Sequence, residues 1–251
     1  MSGKKITALV TGASAGLGAQ FCRQLAARCD VIVAVARRRE RLDALAIELA
    51  DSVEIRCLEA DLGSIEGVSR TLEAIRQQGP LQYLVNNAGF GTVGDFSHSS
   101  IESQRAMVNL HIDASITLCR GAIPFMQEQG GGAIINVSSL GAFVPGKGIA
   151  IYGATKVFLN YFSLALQDEL AGTGIEVQAL CPGFTRTEFH DHMVEEGFDR
   201  QRIPEQMWMT PDAVVAASLD ALGKGRVLVV PGEDNLNIAR SALQRQLAAL
   251  Q

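Results

Sequence analysis

The sequence has no excess of basic charge, no paired cysteines, no long apolar run and few aromatic residues, and each shortage removes a class of protein. Lysine and arginine number 22 against 27 aspartates and glutamates, a net charge of −5, so no broad basic surface awaits a nucleic acid. The five cysteines (Cys22, Cys29, Cys57, Cys119, Cys181) are odd in number, scattered and nowhere spaced Cys-x-x-Cys. That argues against a disulfide framework or a cysteine zinc site, and for inert thiols in a reducing compartment. No apolar stretch reaches the ~20 residues that span a bilayer, so no membrane partner is expected. Residues 1–5 run almost directly into a strand-like 6–10, leaving no room for a signal peptide's apolar stretch; a cytoplasmic protein is expected. With 47% apolar and 20% charged residues the composition is that of a globular chain, and 251 residues suffice for one sizeable core but not two ordinary domains.

Short β-branched runs recur at residues 6–10, 31–35, 53–58, 81–85, 133–137, 175–180 and 227–230, each followed by helical periodicity. They are nearly continuously apolar, as strands covered on both faces should be. Leu42, Leu45, Ala46 and Leu49 fall at i, i+3, i+4, i+7, and Thr210-Pro211 is a helix-start signal. Alternating strands and helices predict an α/β chain of one domain, 1–251, with a seven-stranded, doubly wound parallel sheet of the Rossmann type. The exception to the rhythm is 184–209, which lacks a strand and carries mixed charge, methionines and Trp208. Its place after a strand's C-terminal end suits a substrate lid; a solvated surface excursion is the alternative.

After the first run comes Thr11-Gly12-Ala13-Ser14-Ala15-Gly16-Leu17-Gly18, then a helix. Glycines permit the sharp strand-to-helix turn, let backbone N–H groups approach a pyrophosphate and let helix and strand pack closely, while the helix dipole faces the phosphates. An NAD-specific fold needs a carboxylate at the end of the second strand, about 20 residues on. Here the chain reads Val35-Ala36-Arg37-Arg38-Arg39. Guanidiniums there suit a dianionic 2′-phosphate. The alternative is that Arg37 to Arg41 form an ordinary solvated helix start, but cations oppose the dipole at a helix N-terminus, so three in a row there call for a compensating anion. NADP(H) is the expected cofactor.

Tyr152-Gly153-Ala154-Thr155-Lys156 begins a strongly helical segment. A spacing of i, i+4 sets the phenol and the ammonium one turn apart on one face, where the ammonium should pull the phenol's pKa down toward the working range. Asn136-Val137-Ser138-Ser139 lies upstream at a strand's C-terminal edge, Asn86-Asn87-Ala88-Gly89 ends the fourth strand, and Pro182-Gly183-Phe184-Thr185-Arg186-Thr187 follows the sixth. With Thr-Gly-x-x-x-Gly-x-Gly, and a serine thirteen residues before Tyr152, this ordered set resembles the short-chain dehydrogenase/reductase family in its compact form of about 250 residues.

The resemblance implies roles residue by residue. Ser139, chosen over Ser138 by spacing, corresponds to the serine that hydrogen-bonds the substrate carbonyl. Tyr152 corresponds to the general acid in reduction, or base in oxidation, and Lys156 to the lysine that tunes it and holds the nicotinamide ribose. Asn109 matches the asparagine supporting a water-linked relay to that lysine; a buried amide is its alternative. Gly12, Ser14, Gly16, Leu17, Gly18, Arg37 and Arg38 resemble the phosphate-binding segments, and Asp61 with Leu62 the pair at the adenine. Asp61 alternatively just caps the next helix. Asn87, Ala88 and Gly89 resemble the residues flanking the adenosine ribose, and Pro182, Gly183, Thr185 and Thr187 the nicotinamide-contacting segment. The family's members commonly pair the helix bearing Tyr152 and the one before it across a two-fold axis. Both are apolar nearly all round here, from Ile112 to Met126 and from Val157 to Leu166, so a homodimer or homotetramer is expected.

The expected activity is hydride transfer between a nicotinamide and a carbonyl or secondary-alcohol substrate. A catalytically silent NADP(H)-binding sensor of the same fold is the alternative, against which the complete Asn109, Ser139, Tyr152, Lys156 set argues. The isomerases and dehydratases among larger relatives carry a different glycine spacing and a longer substrate domain. His190-Asp191-His192 invites a metal, but zinc needs at least three protein ligands and no further histidine or cysteine is placed to complete a site. In Gln206-Met207-Trp208-Met209, side chains that line a substrate pocket, meet a subunit or fill the core are equally compatible with the sequence.

Overall fold

The computed structural model describes residues 5–78, 80–191, 193 and 198–250. Strands β1 (Thr7–Thr11), β2 (Val31–Ala36), β3 (Glu54–Glu59), β4 (Leu81–Asn86), β5 (Gly132–Val137), β6 (Ile175–Leu180) and β7 (Leu228–Val229) form one parallel sheet in the order β3-β2-β1-β4-β5-β6-β7. Helices α1 (Gly16–Leu25), α2 (Arg39–Glu48), α3 (Ile65–Gln78), α4 (Ile101–Val108), α5 (Ala114–Gln129), α6 (Ala150–Glu169), α7 (Pro211–Ala221) and α8 (Glu233–Ala248) connect or flank the strands.

Alternate strand residues feed two cores. Ala8, Val10, Ile32 and Ala34 meet Phe21, Leu25, Leu42 and Val214 on one face of the sheet. Leu9, Val33, Leu84 and Ile134 meet Ile75, Leu118, Met126 and Leu166 on the other. All five residues of β1 and all six of β2 are buried, which is why those runs read as continuously apolar.

The outer strands depart from that expectation. β3 reads Glu-Ile-Arg-Cys-Leu-Glu and leaves both glutamates and Arg56 facing outward, and Arg56 Nε donates to Glu54 Oε1 at 2.7 Å. β7 has only two residues. An edge strand gains from charge and brevity, which discourage pairing with another chain. Thr210 caps α7 as its sequence signals, its hydroxyl accepting the Ala213 N–H at 3.2 Å. The fold's consequence for function is the reversal of strand order between β1 and β4, which opens a crevice outside the strands' C-terminal ends, where ligands of such sheets bind.

Candidate active site

At the end of β1 the chain turns through Gly12 and Gly16, with φ of +66° and +53°, a region that side-chain-bearing residues rarely adopt. A Cβ on Gly12 would lie 2.7 Å from Asn87 Nδ2, and one on Gly18 would strike the Gly12 carbonyl. The α1 N-terminus that follows has no side-chain cap and no acid in its first turn, so no side chain there caps its N–H groups or offsets its positive dipole end. Thr11 and Asn87 tie this turn to the end of β4. The Thr11 hydroxyl accepts the N–H groups of Asn87 and Ala88 at 2.8 and 2.9 Å, and Asn87 Nδ2 donates to Thr11 O at 2.8 Å.

The basic cluster stands beside the same turn. Arg37 is exposed and makes no hydrogen bond or ion pair among the described residues. Arg38 donates from Nε and Nη2 to Ser14 Oγ at 3.2 and 2.9 Å. The anion that the arginine run called for comes from within the chain: Glu188 pairs with Arg38, and with Arg41 at 2.9 Å. Asp61 is exposed and accepts the Gly63 N–H at 3.0 Å, a turn ahead of α3, while Leu62 is buried.

The prospective proton-transfer groups gather at the end of β5. Ser139 Oγ accepts the Gly141 N–H at 3.0 Å and hydrogen-bonds the Tyr152 hydroxyl. Its neighbour Ser138 turns inward and donates to the Lys156 carbonyl at 2.9 Å. Lys156 is buried, donates to Val137 O at 2.9 Å and has its ammonium 5.7 Å from the Tyr152 ring centroid. Burial lowers Lys156 to about 8. Burial also raises Tyr152 above its ordinary value, outweighing the opposing hydrogen bond from Ser139. The i, i+4 spacing anticipated the opposite sign for Tyr152. It brings the ammonium near the ring but cannot reveal that the phenol is enclosed, or that the ammonium is turned to a backbone carbonyl.

Asn109 opens a π-turn, Asn109–Asp113, between α4 and α5, its carbonyl accepting the Ala114 N–H. Such turns cluster at functional sites because they displace one residue from the helical ladder. The Asn109 side chain is exposed rather than a buried amide, and it makes no hydrogen bond to Lys156.

His111 in that turn escaped the sequence reading. The Phe90 N–H donates to its Nε2 at 3.2 Å, so the ring proton sits on Nδ1 and donates to Thr155 Oγ1 at 2.9 Å. Thr155 in turn donates to Tyr152 O at 2.8 Å. This chain of bonds fastens the first turn of α6 to the loop after β4. The available signal was Gly89, where a Cβ would lie 2.7 Å from His111 Nε2.

The segment 184–209 is clipped at its base. Met209 N–H donates to Phe184 O at 2.9 Å and Arg186 N–H to Met209 O at 3.0 Å, a lone parallel bridge in a stretch expected to have no strand. Pro182 O accepts the Leu140 N–H at 2.8 Å, which links this stretch to the Ser139 loop. Gly183 lies against Asn235. Thr185 is buried and donates to Gly183 O at 3.1 Å, while Thr187 packs beside Gly16. Aromatic rings cluster among its described residues: Phe184, Phe198 and Trp208 surround the buried His190, and Phe189 lies 6.1 Å from the Tyr152 ring. Asp191 pairs with Arg200 at 2.6 Å; His192, third member of the histidine pattern, lies outside the described residues, as do 194–197.

Residues 6–196 match the short chain dehydrogenase family. The chain belongs to that family. Among the relatives of this short-chain dehydrogenase is the NADP-dependent 3-hydroxy acid dehydrogenase YdfG of Escherichia coli (strain K12), 33% identical over 214 residues, 83% of this chain and 86% of that one. A short-chain dehydrogenase from Sphingobium yanoikuyae in complex with NADPH is 35% identical, with a TM-score of 0.83 over 95% of each chain. The bulky-bulky ketone specific alcohol dehydrogenase of Comamonas testosteroni is 30% identical, with a TM-score of 0.80 over 98% of this chain and 95% of that one.

Proposed function

We propose that this short-chain dehydrogenase is an NADP(H)-dependent oxidoreductase that interconverts a carbonyl compound and its secondary alcohol, Tyr152 exchanging the proton. The observation that carries the reading is the meeting of two devices at one sheet edge. The glycine turn ends β1, and Ser139, Tyr152 and Lys156 stand at the end of β5, two strands away. The turn fits a dinucleotide, since Gly18 leaves no room for a Cβ and α1 presents uncapped N–H groups. Unpaired Arg37, and Arg38 held by Ser14, fit the 2′-phosphate. Both named relatives with a stated cofactor, one NADP-dependent and one bound to NADPH, support it.

When bound, NADPH supplies a hydride to the carbonyl carbon. Tyr152, kept protonated by burial, donates its proton to the carbonyl oxygen, and the Ser139 hydroxyl steadies the charge developing there. The Lys156 ammonium, beside the ring, favours the phenolate that results. In this reading Asn109 serves the relay toward Lys156 through its displaced position in the π-turn. Asp61, Leu62, Asn87, Ala88 and Gly89 border the adenosine. Pro182, Gly183, Thr185 and Thr187 border the nicotinamide.

The substrate fits best as a ketone or aldehyde bearing an apolar group. Phe189 adjoins Tyr152, and the lid arginines Arg186, Arg200 and Arg202 are each paired with a carboxylate, so none stands free to receive a substrate's acid group. Free cysteines support placing the protein in the reducing cytoplasm.

The test follows NADPH absorbance while the protein meets NADPH with a 3-oxoacyl thioester, a small ketone or aldehyde, or a steroid-like ketone, and NADP+ with a hydroxy-amino acid. Apolar ketones should consume NADPH fastest. Tyr152→Phe should lower turnover by about 10²- to 10⁴-fold while leaving NADPH affinity nearly intact. Wild-type rates in that variant would overturn the role of Tyr152. Tight NADPH binding with no consumption across the panel would return the silent-sensor reading.

A further inference from the structure

We infer that Glu188 is a specificity-determining residue: an internal anion that competes with the adenosine 2′-phosphate for Arg38 and so sets how strongly the enzyme prefers NADP(H) over NAD(H). The inference rests on the NADP(H) reading of that site.

Four guanidiniums crowd the start of α2, from Arg37, Arg38, Arg39 and Arg41; Arg39 is paired with Asp43, and Arg38 is itself the N-cap residue with no side-chain cap. Cations there oppose the helix dipole, so an anion is stabilised whatever its source. Glu188 supplies it from 150 residues away in sequence. Its Oε1 accepts from Arg38 Nη2 and its Oε2 from Arg41 Nη1 at 2.9 Å. Arg38 Nη2 also donates to Ser14 Oγ at 2.9 Å. A single guanidinium nitrogen therefore already serves both the glycine turn and the carboxylate.

The carboxylate is held in place rather than swinging freely. Glu188 opens the short 3-10 turn Glu188–His190, which the Thr187 hydroxyl caps by accepting the Phe189 N–H at 3.3 Å. Thr187 in turn packs on Gly16 in the glycine turn. The two arginines hold the Glu188 carboxyl below the usual carboxylate range, Arg38 most strongly, so it stays ionised throughout the neutral range. A phosphate dianion entering between Ser14 and Arg38 meets this fixed negative charge on the same donor. It must share Arg38 with Glu188 or displace it. NADH has a ribose hydroxyl in place of that phosphate and feels neither effect.

The experiment measures dissociation constants of NADPH, NADH and 2′,5′-ADP for the wild type, Glu188→Gln and Glu188→Ala, by calorimetry at two salt concentrations, with thermal melts to establish that each variant is folded. Both variants should bind NADPH and 2′,5′-ADP about three- to tenfold more tightly, the size expected when one or two half-exposed charge contacts are released. NADH affinity should stay within about twofold, and the gain should shrink at high salt. Unchanged or weaker NADPH binding in both variants would overturn the inference, because Glu188 would then merely orient Arg38. The wild-type arm judges the cofactor reading separately. If neither the unaltered protein nor either variant binds NADPH more tightly than NADH, that reading fails, and the competition inferred for Glu188 fails with it.

Discussion

At the scale of single residues, two buried histidines make the molecule sensitive to mild acid. His190 sits among Phe184, Phe189, Phe198 and Trp208 with its Nδ1 buried and without a hydrogen-bond partner among the described residues. Burial, aided by the Arg200 charge, lowers it to about 4. Burial and the neighbouring Lys156 hold His111 well below the usual histidine range. Between 6.5 and about 4 an unfolded chain carries a proton on His190 that the folded chain does not. Stability is therefore full above the free histidine value and falls as pH drops through this window. The lowered carboxylates Glu48, Glu54, Glu102 and Glu188 contribute only below their ordinary 4.5, so the interval from pH 7 to 5 isolates the histidines. Urea midpoints should decline across that interval, and His190→Phe, which keeps a ring in the cluster, should flatten the decline. An identical slope in both proteins would show that His190 is not responsible.

Among elements, the 184–209 segment is joined at its base by a very short contact. One parallel bridge, Thr185 to Met209, closes its base, and the Met209 N–H is a donor that proline lacks. Trp208, the preceding residue, is already extended at φ −88° and ψ 119°, which suits a following proline. Met209→Pro should thus remove the bond to Phe184 O with little strain. Trypsin should then cleave at Arg186, Arg200 or Arg202 faster than in the wild type, with the global melting temperature nearly unchanged. Equal cleavage rates would mean that the aromatic cluster alone closes the lid. The elements also differ in how far their sequence foretold them. The glycine turn and the Tyr152 helix are set by local chemistry, glycine backbone freedom and a one-turn spacing, and both were readable. The sign of the Tyr152 pKa was not, because enclosure is a tertiary property. Nor were His111 and Glu188, whose partners lie 44 and 150 residues away and leave no periodic trace.

For the whole molecule, apolar periodicity specified the seven parallel strands, since two-sided burial leaves unbroken runs such as those of β1 and β2. It served less well at the rim, where β3 carries alternating charge. One surface still lacks a covering layer: Val157, Tyr161 and Leu164 on α6 are 49%, 75% and 41% exposed, and Val108 at the end of α4 is 37% exposed. A second copy of the chain would bury this surface, and a homodimer or homotetramer is the expected state. Sedimentation at micromolar concentration should show the assembly, and Leu164→Glu should dissociate it without unfolding the protomer. A monomeric wild type would exclude this assembly.

Trp208 is the chain's sole tryptophan, and it lies in the 184–209 segment, with the Arg200 guanidinium 5.2 Å from its ring and His190 edge-on at 5.2 Å. Indole emission from the native protein therefore arises at one address. A spectral change on adding a ligand reads the surroundings of that one ring, with no labelling and no other emitter of its kind to subtract.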